Sequence, residues 1–502
     1  MALRDRLDLL RGRELTLGKL FELVARVHGD APLVEEDGDD GLRLTYREAA
    51  DLTARWAGAL RTKITPGDRV VIGTPNGYSL LLLCSAVSRA GGIAVPVNPK
   101  MRDDEIDHVV DDSEAAILVR DGAELDGGDP VAAVPAESSD VAALFYTSGT
   151  TGKPKGAQLT HRALVGQANR AALFPSRLRR DEVVTGMPVA HIAGFSMLVQ
   201  AATLGVPVYL LRKFRPDAAL DAIERRRATV FVGVPAMYRM MVDAGADSRD
   251  LSSVRIWASG ADAMPFELAQ KFQRMGASAT LPVLGKAVGD ALFIDGYGMV
   301  ELGGGVAIKV LPPMLPLRGA VAIPLPGYKL KLVDDAGREV RGDTVGELVV
   351  KGPGVMRGYH GQKGATDDAL SADGWLRTGD LARRRHRAFF ELAGRKKDVI
   401  KHGGYSVFAV EVESVLGRHP GVAEAAVVGL PDERKGEHPV AAVILRDGHA
   451  VTEADLMTWA GERLSDYKVP RRVLLVSELP RTGTDKVQKA EVKKLFAAGE
   501  VV

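Results

Sequence analysis

The stretch LFYTSGTTGKPKGAQLTH, residues 144–161, begins as an apolar strand and then changes character. Thr147, Ser148, Thr150 and Thr151 surround Gly149 and Gly152, with Lys153 and Lys155 behind them. Glycines let backbone N–H groups approach a phosphate, hydroxyls add donors, and lysine supplies charge. The G-x-x-x-x-G-K-[ST] spacing of a Walker loop is absent. A polar turn is the alternative, but plain turns do not combine this many hydroxyls with two lysines.

Outward from this loop the chain alternates helix and strand. TYREAADLTARWAGALR has helical spacing, with Thr45 placed as cap and Glu48 three residues on. GDRVVIGT and AAILV read as short strands, and the alternation continues through VPVYLL, ATVFVGVP and VRIWASG. Such alternation implies parallel β-α units. From about residue 319 the texture becomes short strands joined by Asp-Gly-type turns, which suggests an antiparallel sheet or small β-barrel. The charged, then glycine-rich run GRKKDVIKHGGY (394–405) marks a boundary, and the remaining residues make a compact α+β unit of domain size. The expected division is 1–396 and 397–502, within an α/β fold class.

Composition narrows the function. A chain of 502 residues is too long for one ordinary core. At 46% hydrophobic and 26% charged it is of ordinary globular type, and a net charge of +1 gives no pull toward nucleic acid. The lone cysteine, Cys84, sits in an apolar run and reads as a buried thiol in a reducing compartment. The N-terminal run lacks the apolar core of a signal peptide, and no stretch approaches a bilayer span. A cytoplasmic protein, monomeric or homodimeric, is expected. The basic run ARRRHRA (382–388) reads as an exposed hairpin tip, with a patch for coenzyme A phosphates or an anionic membrane as the alternative.

YTSGTTGKPKG resembles the phosphate-binding signature of the adenylate-forming acyl-CoA synthetases. Further motifs come in that family's order: MPVAHIAGF (187–195), VRIWASGADAMP (254–265), DGYGMVE (295–301), GELVVKGPGVMRGY (346–359), DGWLRTGD (373–380), ELAGRKKDVIKHGGYSVFAVEVE (391–413) and PRTGTDKVQK (480–489). The resemblance implies a large N-terminal domain, a mobile C-terminal domain and a two-step reaction. A carboxylate attacks the α-phosphate of ATP to give acyl-AMP and pyrophosphate. A thiol, that of coenzyme A, then displaces AMP.

The same resemblance assigns the residues. Lys486 bridges the carboxylate and α-phosphate, and Glu301 holds magnesium. Asp380 takes the ribose hydroxyls, with Arg395 beside them. Ala261, Asp262, Asp295, Gly296, Tyr297, Gly298 and Val300 line the nucleotide with the phosphate loop. His191 gates the acyl tunnel. Lys397 is the hinge, and Lys401, Gly403 and Gly404 serve coenzyme A. The acyl pocket is expected from FVGVPAMY (231–238), ASGA (258–261) and YGMV, small or aliphatic stretches that suit a hydrocarbon acid. The implied activity is ligation of a medium- or long-chain fatty acid or similar apolar acid to coenzyme A. The alternatives are an acyl-AMP ligase that loads a carrier protein and a catalytically impaired nucleotide-binding paralogue.

Several positions depart from the family pattern. Val300 stands where threonine is usual, Asp295 for glutamine, Asp262 for a small residue, Asp485 for glycine and Ala409 for proline. The segment 276–293 is longer than usual, which suits either a functional loop or a surface elaboration.

Overall fold

The capping box expected at Thr45 is present and starts the helix Tyr46–Arg61. Thr45 Oγ1 accepts from the Glu48 N–H at 3.3 Å, and the Glu48 carboxylate accepts from the Thr45 N–H at 2.8 Å. Its apolar stripe, with Trp56 and Leu60, packs on the helix Tyr78–Arg89. That second helix is buried on every face, as expected for an apolar run enclosed between layers. Cys84 lies inside it, and burial raises its thiol pKa far above the usual range, which fits an inert core thiol.

This computed structural model describes residues 15–147, 154–166, 181–262, 264–280, 287–311, 323–386, 389–481 and 487–497. They form two compact units. One holds Lys351–Leu376 with most of the chain up to Lys329; the other holds Leu330–Val350 and Arg377–Val502.

The first unit contains two sheets built by the expected β-α alternation. One runs Ile117–Val119, Arg69–Ile72, Ile93–Pro96, Val141–Tyr146 and Gly156–Thr160, parallel except for the last strand. The other has nine strands. Its parallel centre includes Val183–Thr185, Val230–Gly233, Ile256–Gly260 and Leu292–Met299, and Gly304–Leu311 returns antiparallel. Phe231, Tyr238, Trp257, Phe272 and Phe293 interlock beneath it with ring centroids 4.8–6.1 Å apart. This aromatic core fixes the strands whose carboxyl ends carry ASGAD and DGYG. The carboxyl ends of parallel strands are where α/β sheets bind ligands.

In the second unit, Lys329–Val333, Val345–Lys351, Leu376–His386 and Phe389–Arg395 form a four-stranded sheet whose last two strands pair antiparallel. Beyond it, Val422–Asp432 and Gly436–Leu445 pair antiparallel in a five-stranded sheet. Alternate residues face opposite ways: Val427 and Ala441 join one apolar cluster, Val428 and Val440 the other. Helices Ala409–Leu416 and Glu453–Gly461 cover the first face, and Lys489–Ala497 covers the second. The lengthened segment 276–293 contributes a small ribbon, Ala279–Thr280 against Ala287–Val288. No helix among the described residues is long and apolar enough to cross a membrane.

Candidate active site

The phosphate-loop candidate begins where Val141–Tyr146 ends. The Thr147 N–H donates to the Lys155 carbonyl at 3.0 Å and closes the neck of the loop. Ser148, Gly149, Thr150, Thr151, Gly152 and Lys153 lie outside the described residues. The strand after the loop, Gly156–Thr160, is flanked by the segment 356–360. Arg357 N–H donates to the Gln158 carbonyl at 2.9 Å, and His360 N–H to the Gly156 carbonyl at 2.8 Å.

Glu301 sits on a single turn, Val300–Leu302, and is buried. Its Oε1 accepts from the Tyr359 hydroxyl at 2.9 Å. Its backbone carbonyl accepts from the Met356 N–H at 2.8 Å. Burial and the neighbouring carboxylate push the Tyr359 pKa well up, so the phenol keeps its proton and remains a donor. The Lys155 ammonium lies 5.3 Å from the Tyr359 ring centre. The carboxylate, the phenol and the lysine behind the loop neck therefore form one cluster. Among the described residues Oε2 of Glu301 accepts no hydrogen bond, and no cage of three or more metal-binding side chains exists. Magnesium takes one or two carboxylates and completes its shell with water and substrate phosphate, so a single hard oxygen beside a phosphate loop fits it.

DGYGMVELGGG forms a hairpin: Leu292–Met299, the turn at Glu301, and Gly304–Leu311. Two of its glycines answer to the protein's own backbone. A Cβ on Gly298 would lie 2.0 Å from the Gly304 carbonyl oxygen, and Gly303 has φ +67° with its Cβ position 2.7 Å from the Ala163 carbonyl. Asp295 stands opposite Lys309 across this hairpin. Its Oδ1 is sealed from solvent without a hydrogen bond. Burial raises its pKa to about 6, against attraction from Lys309 and with repulsion from Asp262 added. Burial also lowers the pKa of Lys309. Ala261, at the end of Ile256–Gly260, has φ +69°, a left-handed conformation that non-glycine residues adopt at a cost of about 1–2 kcal/mol. Such strain gathers at ligand sites.

A folded-state pKa raised above the ordinary value favours folding while Asp295 is protonated and loses that contribution as pH rises through 6. Asp295→Asn removes the titration. We expect the melting temperature of the variant, relative to wild type, to rise between pH 5 and pH 7, as read by thermal unfolding at each pH. The contribution is about 3 kcal/mol at most.

The other candidates behave variously. His191 caps the helix Ile192–Leu204, its Nδ1 accepting from the Ala193 N–H at 3.2 Å. Phe231 and Tyr238, expected to line the acyl pocket, are fully buried in the aromatic core, while Val232 and Val234 on the alternate face are half-buried. In the second unit Asp380 is buried and pairs with Arg395 at 2.8 Å, in register across two strands. Its N–H donates to Thr378 Oγ1 at 3.0 Å. Burial, and then repulsion from Arg395 and Lys489, lowers the pKa of Lys397 against attraction from Asp398. Lys401 Nζ donates to Ser406 Oγ at 2.9 Å. Gly403 and Gly404, at φ +58° and +85°, form the two-residue turn between Val399–His402 and Tyr405–Phe408. A hairpin turn of that length demands positive φ at both positions. Arg384 of the basic run lies against its own sheet, 3.8 Å from Glu339 and over the Phe390 ring. Lys486 and Asp485 lie outside the described residues.

Two residues of this site carry no role in the sequence. Tyr359 closes the GELVVKGPGVMRGY motif, its only signal, and Lys309 gives none.

The family model of AMP-binding enzymes matches residues 21–132 and 120–360, and that of the AMP-binding enzyme C-terminal domain matches 411–486. The chain belongs to the AMP-binding enzyme family. It is 34% identical over 479 residues to a feruloyl-CoA synthase of Amycolatopsis, covering 91% of this chain and 94% of the relative. It is 31% identical over 492 residues to an indoleacetate–CoA ligase of Aromatoleum aromaticum, covering 90% and 93%. A solved structure of the o-succinylbenzoate CoA synthetase MenE from Bacillus subtilis, in complex with ATP and magnesium ion, superposes with a TM-score of 0.80 at 26% identity, over 95% of this chain and 99% of that one. This AMP-binding enzyme is thus an ATP-dependent acyl-CoA ligase of the adenylate-forming superfamily, with ATP, magnesium and coenzyme A as its reactants and metal.

Proposed function

We propose that this enzyme activates an apolar carboxylic acid as its acyl-AMP and passes the acyl group to coenzyme A, and that ring-bearing acids are better substrates than the long-chain fatty acids the sequence suggests. The observation that carries the reaction is the Glu301–Tyr359–Lys155 cluster behind the phosphate-loop neck. The preference for rings rests on the feruloyl and indoleacetate named for its relatives.

In the first step a carboxylate oxygen attacks the α-phosphorus and the bond to pyrophosphate breaks. Two anions must meet, so cationic side chains have to offset their repulsion. Lys486 bridges the approaching oxygens. Glu301 holds magnesium through Oε2, and the metal supplies charge to the phosphates. Asp380, held by Arg395, accepts from the ribose hydroxyls, and Ala261, Asp262, Asp295 and Gly296–Gly298 border the base. In the second step the thiol attacks the acyl carbon, the acyl–phosphate bond breaks, and AMP leaves. Residues 397–502 turn about Lys397 between the steps and bring Lys401 to the thioester reaction.

The test measures AMP release with and without coenzyme A across a panel of aryl, indolyl and straight-chain acids. Release that requires coenzyme A and is fastest with a ring acid is expected. Coenzyme A-independent release would favour transfer to a carrier protein, and no release with any acid would overturn the activity. A separate expectation concerns Val300. One hydrogen bond to a charged group contributes about 1.5–3 kcal/mol. Val300→Thr should therefore speed pyrophosphate release at saturating ATP, and an unchanged rate would mean that the site is complete around valine.

A further inference from the structure

Tyr359 lies 58 positions along the chain from Glu301, yet its hydroxyl is the group that engages the carboxylate. Its own segment does more than supply a hydroxyl. Met356 N–H donates to the Glu301 carbonyl, so residues 356–359 hold this acid by both its backbone and its side chain. The same segment forms hydrogen bonds to the strand that leaves the phosphate loop, through Arg357, Gly358 and His360. Lys155, at the neck of that loop, rests over the tyrosine ring. One short strap therefore ties the carboxylate to the strand that follows the loop.

A carboxylate on a single turn, without this partner, would be free to choose among rotamers. With Oε1 taken by the phenol, Oε2 is the oxygen that remains for a cation. We propose that Tyr359 is a positioning residue for the metal: its O–H fixes Glu301 so that Oε2 faces the magnesium of the bound nucleotide. This rests on the role of Glu301 proposed above. Groups that orient a metal-binding carboxylate matter nearly as much as the ligand itself, and their loss typically weakens metal affinity by about 10–100-fold.

Tyr359→Phe keeps the ring and its contact with Lys155 and removes only the O–H. Two measurements test it. The first is the magnesium concentration that gives half-maximal pyrophosphate release at saturating ATP and acid. The second is binding of Mn2+ in the presence of ATP, monitored by electron paramagnetic resonance and independent of turnover. We expect both to weaken by about 10-fold or more in Tyr359→Phe, with the melting temperature retained. In a Glu301→Gln background the same change should have no further effect on metal dependence. A structural role would instead lower the melting temperature and the maximal rate while leaving the half-saturating metal concentration unchanged, and that result overturns the proposal. So does equal Mn2+ binding in wild type and Tyr359→Phe. If wild type releases no pyrophosphate with any acid, the proposed activity fails, and the Mn2+ measurement still decides the role of the tyrosine. A wild type that binds no Mn2+ with ATP overturns both.

Discussion

Glu301→Gln should reduce acid-dependent pyrophosphate release by about 100-fold or more, the loss expected when one charge-stabilising group of about 2.7–4 kcal/mol is removed from a preorganised site. Glutamine has nearly the volume of glutamate, and its amide oxygen can still accept from Tyr359, so the strap at 356–359 stays in place. What disappears is the anionic oxygen. Magnesium selects carboxylate and phosphate oxygens, and a neutral amide is a poor substitute. Nucleotide binding without metal should be unaffected, while the metal-dependent part of ATP affinity, read by calorimetry with and without magnesium, should fall. The melting temperature should not fall, since a buried anion is being replaced by a neutral group that keeps its hydrogen bond. A variant that folds normally and retains the wild-type rate would remove Glu301 from the metal.

Most of the fold is legible in local patterns. Thr45 and Glu48 announce a helix start because the capping box is a four-residue event. The strand 69–72 announces itself because both its faces are buried, so it reads as an apolar run. The site is less legible, because its essential relations are between strands. Asp295 meets Lys309 only in the register of a hairpin that turns through Val300–Leu302, and no local pattern reports that register. Tyr359 reaches Glu301 through a strap tied down by backbone hydrogen bonds, which sequence does not display. The glycines carry a second reason that sequence does not show. Gly298, Gly403 and Gly404 read as making room for ligands, and close backbone approach or positive φ within the protein also requires glycine there. Phe231 and Tyr238 mislead for a related reason. The family resemblance places them near the pocket, and only the two-residue period of the strand and the packing of helix Pro235–Asp243 show that they face the core.

Lys486→Ala and Lys401→Ala should separate the two half-reactions. The ends of the loop that carries Lys486 are secured. Arg481 and Val487 pair as a bridge, Gln488 N–H donates to the Pro480 carbonyl at 2.8 Å, and Arg481 forms an ion pair with Glu424. Lys401 is presented differently, from the strand beside the Gly403–Gly404 turn and bonded to Ser406. If each lysine serves one step, Lys486→Ala should slow formation of acyl-AMP by about 100–1,000-fold, since it removes the cation between two meeting anions. The same variant, given synthetic acyl-AMP and coenzyme A, should still form the thioester at close to the wild-type rate. Lys401→Ala should do the reverse, with pyrophosphate released normally and thioester formation slowed. The reason is the one proposed above: two reactions at one nucleotide need two sets of side chains, which a C-terminal domain turning about Lys397 would deliver one at a time. Equal losses in both half-reactions for either variant would mean that its lysine acts in both steps, and the turning domain would lose its support.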